Sequence, residues 1–252
     1  MGKRIEVYSV GKRFITKTSG WLYVIKYENY KNITVKFEDT GYETTTTGCS
    51  IRNGTVKDPY VKSVYGVGFI GEGEPASLKN PAYVRWRNMI RRCYAPYEDK
   101  RSQTYKDCVV CDEWHNFQTF ARWFWDNQKG DGYHLDKDIL HRRCGLYSPS
   151  TCEFIPSELN LILAECTASR GDCPKGVSFD KDRSLYAAYC RISGKKSHKY
   201  LGRFKSKEEA FYAYKHTKED QLKHAADRYY EKGMISKEMK DALYRYEILM
   251  ED

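Results

Sequence analysis

The chain has 252 residues, a mean hydropathy of −0.76 and a formal net charge of +9, from 43 Lys and Arg against 34 Asp and Glu. No apolar run reaches the ~20 residues of a membrane helix, and the opening MGKRIEVYSV has no apolar signal core, so no membrane partner is expected and the chain reads as intracellular. The nine Cys are then reduced thiols or metal ligands rather than a disulfide framework, and the cation excess favours a polyanion over a small molecule as partner.

The first 77 residues carry short runs that alternate at period two: RFITK (13–17), WLYVIKY (21–27), NITVKF (32–37) and YETTTT (42–47). Turn residues separate them, among them Ser19-Gly20, Glu28-Asn29 and Asp39-Thr40-Gly41. The pattern predicts a small, strongly bent antiparallel sheet or partial barrel. GVGFIG (66–71) follows and spells G-x-G-x-x-G, but no buried strand precedes it and no helix follows directly. It therefore reads as a linker rather than a phosphate cradle.

The middle, 78–168, opens on PAYVRWRNMIRRCY (81–94), a helix with Pro81 in its first turn. Arg85, Arg87, Arg91 and Arg92 make it basic, as a solvated face or as phosphate contacts. A second helix is expected over 112–128, where Trp114, Phe117, Phe120, Ala121 and Phe124 form a core stripe. In HLDKDIL (134–140) Asp136 and Asp138 alternate with Lys137, and on an unbroken strand they share one face with His134. YSPSTCEFIP (147–156) then reads as a turn and strand, and SELNLILAEC (157–166) as a helix. A hairpin on a short helix with converging polar groups is the architecture of a one-metal nuclease site, with Mg²⁺ as the ion. Cys108 and Cys111 have C-x-x-C spacing. A structural Zn²⁺ held by Cys93, Cys108, Cys111 and Cys152 is one reading, and buried thiols are the commoner one.

The run RWRNMIRRCY…CVVCDEWHNFQTFARWF…LDKDIL…YSPSTCEFIPSELN, over about 86–160, resembles phage-encoded proteins of the HNH-endonuclease-like group, often free-standing homing-type nucleases with a DNA-binding module. The resemblance implies a central ββα-metal fold. The family's opening His falls on Asp136 or Lys137, its middle Asn on Thr151, and its last position on Asn160, which matches. An active centre would use Asp136, Asp138 and Asn160 for Mg²⁺, with His134 or His141 as the stand-in base and Asp136 among the catalytic groups. A centre that has lost the base leaves a DNA-binding or regulatory protein on the same scaffold. A third alternative is a phage protein that binds a host protein through the N-terminal segment and the aromatic helix. If the chain is phage-encoded, its place is the host cytoplasm.

The last part, 174–252, reads strand, turn, strand, turn, strand, helix: GVSFD (176–180), LYAAYCRI (185–192), YLGRF (200–204), then a helix capped by Ser206. G-V-x-F, Y-L-G-x-F and E-E-A-x-x-A-Y, within 176–218, resemble the ethylene-response-factor type of DNA-binding domain found in homing endonucleases and integrase arms. That family lays its three-stranded sheet in the major groove. The corresponding exposed residues are Arg183, Tyr189, Arg191, Lys195, Lys196, Lys199 and Arg203, either a DNA face or merely the solvent face of a sheet. The chain is thus expected to be α+β: a small antiparallel β domain, an HNH-like centre with helices, and a three-stranded sheet packed on a helix. Its expected partner is double-stranded DNA.

Overall fold

The structure is a computed structural model that describes residues 7–96, 105–142, 144–163, 173–192 and 198–250. The fold is α+β and divides into two compact units, 1–125 and 126–252. Among the described residues no helix is long and apolar enough to cross a membrane.

The first unit begins with a four-stranded antiparallel sheet: β1 (Arg13–Ile15), β2 (Trp21–Asn29), β3 (Asn32–Phe37) and β4 (Glu43–Thr46), in sequence order. Alternation puts Leu22, Val24, Ile33, Val35 and Phe37 on one face, all nearly inaccessible. They pack with Tyr8, with Val56 and with Ile51 of the short helix α1 (Gly48–Arg52). The glycine-rich stretch after it lies inside the first unit, where the backbone of Phe69 donates to His115 O and accepts from the Phe117 N–H. The Gln118 side-chain amide donates to Ile70 O and Glu74 O, both at 3.1 Å, and fastens that stretch to α3 (Phe117–Asn127).

Helix α2 (Pro81–Tyr94) starts where Asn80 accepts from the Ala82 and Tyr83 N–H groups and Pro81 takes the first turn. It buries Ala82, Trp86, Met89, Ile90 and Cys93, while Arg85, Arg87, Arg91 and Arg92 lie on the exposed side. The aromatic stripe expected over 112–128 is buried at every position. The helix itself is split, however. A 3₁₀ turn covers Asp112–His115, and α3 starts afresh at Phe117, with Asn116 accepting from the Gln118 N–H at 2.9 Å. Phe117 donates its own N–H to Phe69 O, so a partner distant in sequence ends the first turn. The short strand β5 (Val109–Val110) precedes the 3₁₀ turn.

In the second unit β6 (Tyr133–Asp136) pairs antiparallel with β8 (Glu153–Pro156), and α4 (Ser157–Leu163) follows β8 without a break. β7 (Leu146–Tyr147) lies in the connection between them. A second sheet, of order β11-β10-β9, is built from β9 (Val177–Asp180), β10 (Leu185–Arg191) and β11 (His198–Phe204). The 25-residue helix α5 (Lys207–Glu231) covers one face of that sheet, and α6 (Lys237–Arg245) packs on α5. Ser206 caps α5 by accepting from the Glu209 N–H. Gly176 has φ +72°, and a Cβ there would stand 2.1 Å from the Tyr214 ring, so helix and sheet meet closely where only glycine fits.

The hairpin and the three-stranded sheet share one core. Ile139, Ile155, Leu159 and Ile162 cluster with Val177, Ala188 and Cys190 of the sheet and with Tyr214, Leu222 and Ala226 of α5. Polar ties reinforce it. Glu158 of α4 accepts from Arg228 at 3.0 Å and from the Tyr229 hydroxyl. Burial and the carboxylate beside it push the Tyr229 phenol up to about 12, so Tyr229 remains the donor at physiological pH.

Candidate nucleic-acid interface

In the sheet β9–β11, Ala188 and Cys190 are fully buried against α5, and the residues between and beside them point the other way. The register carries that outward face across the strands. Arg191 stands opposite His198, Tyr189 opposite Tyr200, and Ala187 between Ser178 and Arg203. Tyr200 and Arg203 are three residues apart, and on a regular strand they would lie on opposite faces. The pairing steps from Tyr189↔Tyr200 to Ala188↔Gly202, leaving Leu201 as an extra, unpaired residue. This bulge restores both to the open face. Gly202, at φ +138°, supplies the backbone conformation it needs.

The open face therefore gathers Tyr189, Arg191, His198, Tyr200 and Arg203. The two Tyr rings lie 5.4 Å apart and are 38% and 47% exposed. Arg203 donates to the Tyr200 hydroxyl at 3.3 Å and sits 5.6 Å over its ring. One anion shares the face. Asp180 accepts from Arg203 at 3.1 Å and from Arg183, in the β9–β10 turn, at 3.3 Å. Burial works against the Asp180 carboxylate, but the two guanidinium groups and the Arg183 N–H outweigh it and hold its pKa below the usual aspartate value.

Of the expected DNA-facing residues, Tyr189, Arg191 and Arg203 come together and Arg183 adjoins them. Lys199 stands opposite Cys190 and so belongs to the α5 side of the sheet, although it is exposed. Lys195 and Lys196 lie outside the described residues. His198 and Tyr200 complete the face. Reading them from the sequence required the register and the bulge. In the first unit Arg87 and Arg91, four apart on α2, form an exposed row.

The hairpin β6–β8 places His134 and Asp136 on one face, with Glu153 directly across from Asp136. The strand stops at Asp136. Its Oδ1 accepts from the N–H groups of Asp138 and Ile139, both at 3.0 Å, which turns the chain. Asp138 therefore lies on the exposed turn, paired with Lys137 Nζ, and not beside Asp136 on a continuing strand. Burial, with Asp138 adding to it, pushes the Asp136 carboxyl above its ordinary value against those two donors. Glu153 is taken by Ser236, which donates from N at 3.1 Å and from Oγ at 2.7 Å, and by Lys129 at 3.4 Å. His141 is exposed on the turn after β6, and Asn160 is half-buried on α4. Thr151, where the family pattern has Asn, spends its hydroxyl on Leu146 O and the Ser148 N–H.

Among the described residues no three His, Cys, Asp or Glu side chains form a group that can hold a metal ion. Asp136 spends Oδ1 on its own turn, Asp138 is paired with Lys137, and Asn160 lies on α4. Cys93, Cys108 and Cys111 belong to the first unit and Cys152 to the second. Burial raises the Cys111 thiol and pushes Cys152 up to about 12. Comparisons with protein-family models, with curated proteins and with solved structures find no match to this chain.

Proposed function

We propose that the protein binds double-stranded DNA through the open face of the sheet β9–β11. The observation that carries this reading is the bulge at Leu201, which brings Tyr200 and Arg203 onto the face that already holds Tyr189 and Arg191. A guanidinium steadied by the neighbouring phenol is placed to meet a phosphate or a base edge. Exposed Tyr rings between cations add apolar contact to sugars and bases. The net charge of +9 supplies the long-range attraction a polyanion requires.

The test is fluorescence anisotropy of the whole chain with a labelled duplex over a range of salt concentrations. The expected outcome is an affinity that falls steeply with salt, and that drops by about tenfold to a hundredfold in Arg203→Ala. Salt-insensitive binding, or an Arg203→Ala variant that binds like the parent, would reject this surface.

A second reading, metal-dependent phosphodiester cleavage, draws on the face shared by His134, Asp136 and Glu153. Supercoiled plasmid incubated in Mg²⁺, in Mn²⁺ and in EDTA separates the two. Metal-dependent nicking that disappears in Asp136→Asn would favour cleavage. Retained binding with intact plasmid favours a protein that acts by occupying DNA.

A further inference from the structure

Helix α2 carries a cationic surface on the first unit that shares no residue with the open sheet face. Its 14 residues include four Arg and no Asp or Glu, and all four Arg are exposed. Arginines one turn apart, such as Arg87 and Arg91, repel each other. The negative end of the helix dipole offsets that for Arg91 and Arg92 in the last turn, but not for Arg87 one turn further back. Arg87 therefore has no counter-charge on its own helix, and an anionic partner would supply one.

The helical projection orders that surface. At ~100° per residue, the buried stripe centres on Trp86 and Cys93, and the direction opposite to it falls on Val84, Asn88 and Arg91. Those three stand at i, i+4 and i+7, so they form the crest of the outer side. Arg87 flanks the crest on one edge, and Arg85 and Arg92 flank it on the other. Asn88 and Arg91 are exposed, and Val84 is half-buried. Among the described residues the side chains of Arg87, Asn88 and Arg91 make no hydrogen bond or ion pair. Arg92 sits 5.5 Å over the Tyr105 ring. The roll of the helix is held from beneath, where the fully buried Trp86 donates its indole N–H to Trp114 O at 2.6 Å.

We propose that α2 is a recognition helix that enters the major groove of double-stranded DNA, with Asn88 and Arg91 reading base edges and Arg87 and Arg92 meeting the phosphates on either side. A helix with its side chains is ~10–12 Å across, and the groove is ~12 Å wide. Asn pairs bidentately with adenine and Arg with guanine, and the Val84 methyl groups suit the methyl of thymine. Asn88 and Arg91 differ by ~4.5 Å along the helix axis, close to the ~3.4 Å step between base pairs. The adenine and guanine they read therefore lie at neighbouring positions. An acidic peptide would use the cations and leave Asn88 and Val84 without a partner, and A-form RNA closes its major groove to side chains. The inference rests on the DNA reading for its class of partner but not for its surface, and it assigns the sequence preference to α2.

The experiment is selection of bound duplexes from a randomised pool by the whole chain, followed by anisotropy on a selected duplex and on a scrambled one. Asn88→Ala, Arg91→Lys, Arg87→Ala and Arg203→Ala are run alongside. The three α2 positions are exposed and Ala and Lys are good helix formers, so these variants keep the fold. The parent should enrich a motif with neighbouring adenine and guanine and prefer the selected duplex by about tenfold or more. Asn88→Ala should lose the adenine preference alone. Arg91→Lys keeps the charge, so it should lose the guanine preference and retain its affinity for the scrambled duplex. Arg87→Ala should weaken both duplexes by a similar factor. Loss of preference in the α2 variants, with Arg203→Ala binding like the parent, would uphold this proposal and reject the sheet. A parent that binds without enriching a motif, or a motif untouched by Asn88→Ala and Arg91→Lys, overturns the proposal and leaves the sheet reading standing. Equal competition by duplex RNA or by polyglutamate also overturns it. No duplex binding by the parent overturns both readings.

Discussion

The N-terminal and C-terminal sheets are both antiparallel meanders with one apolar face buried, yet their outer faces differ in chemistry. On β1–β4 nearly every cation has its own carboxylate: Arg13 with Glu38 at 2.6 Å, Lys36 with Glu43 at 2.9 Å, and Lys26 with Glu28 at 2.6 Å. Arg13 also lies 5.0 Å over Trp21, so its face is spent locally as well. On β9–β11, Arg191 and Arg203 share the face with His198, and among the described residues of that face Asp180 is the one anion. Two similar scaffolds thus present a self-neutralised surface and a cationic one. If the C-terminal sheet binds DNA as proposed, what sets it apart is the anions it leaves out, more than the cations it carries.

The largest expected effect tests the scaffold beneath that difference. Gly176→Ala drives a Cβ into the Tyr214 ring at a positive φ and should cost about 2–4 kcal/mol. Gly11→Ala, also at positive φ but with open space around it, should cost about 1–2 kcal/mol. Hydrogen exchange read separately over the two sheets would register the losses. Equal losses at the two sites would mean that the contact with Tyr214 is not what fixes Gly176.

The functional contrast comes next. Arg191→Ala and Arg203→Ala should each weaken duplex binding by about 1–3 kcal/mol and flatten its salt dependence, while Arg13→Ala and Lys36→Ala leave it unchanged. Parallel salt titrations of the four variants settle the matter. Deleting Leu201 leaves Tyr200 and Arg203 two positions apart, on one face of an unbulged strand, so duplex binding should persist.

The hairpin joins the comparison through a carboxylate used for folding. Asp136→Ala loses two hydrogen bonds and should cost about 1–2 kcal/mol. Asp136→Asn keeps an acceptor for both. The folded-state pKa of Asp136 is raised, so the unfolded chain ionises first and stability falls as pH rises from the ordinary aspartate value through the raised one. The Asn variant should lack that fall and melt at or above the parent temperature at neutral pH. A parent stability that rises with pH across that range would show the carboxylate to be favoured by folding.

Smaller again is the effect of the lone anion. Asp180→Asn should strengthen duplex binding severalfold at neutral pH by freeing Arg203 and Arg183. The folded-state pKa of Asp180 is lowered, so its ion pairs are present above the ordinary aspartate value and disappear as pH falls through the lowered one. Parent and variant affinities should converge only there. The smallest expected change in stability is in Glu38→Gln combined with Glu43→Gln, because both pairs lie in solvent and are screened by salt. If pairing is what silences the N-terminal sheet, this double variant should gain weak, salt-sensitive DNA affinity. A double variant that gains none would place the difference in the aromatic residues instead.

Much of the fold could be read in the sequence because alternation and capping are local signals. The runs at 21–27 and 32–37, the strands around GVSFD and LYAAYCRI, Pro81 at a helix start and Ser206 at another all stand as their residues dictate. What escaped depended on partners distant in sequence. The break before Phe117 follows from a hydrogen bond to Phe69. The placement of Lys199 and the joint exposure of Tyr200 and Arg203 follow from one unpaired residue, Leu201, which inverts a parity argument for everything beyond it. Asp138 left the strand because Asp136 turns its own backbone, a competition that short polar side chains often win. Glu153 carried a sequence signal only through its register with Asp136.

The shared core of the second unit bears on how this chain can be cut and recombined. The sheet that faces solvent with Arg203 is seated, through α5, on Ile155, Leu159 and Ile162, residues from before its own first strand. A fragment beginning at β9 would carry the whole open face and leave raw apolar surface where those side chains had been, an invitation to aggregate. The compact unit that holds both halves of that core begins near 126, ahead of the hairpin. Recombination at the apparent strand-to-strand boundary would separate residues that fold only together.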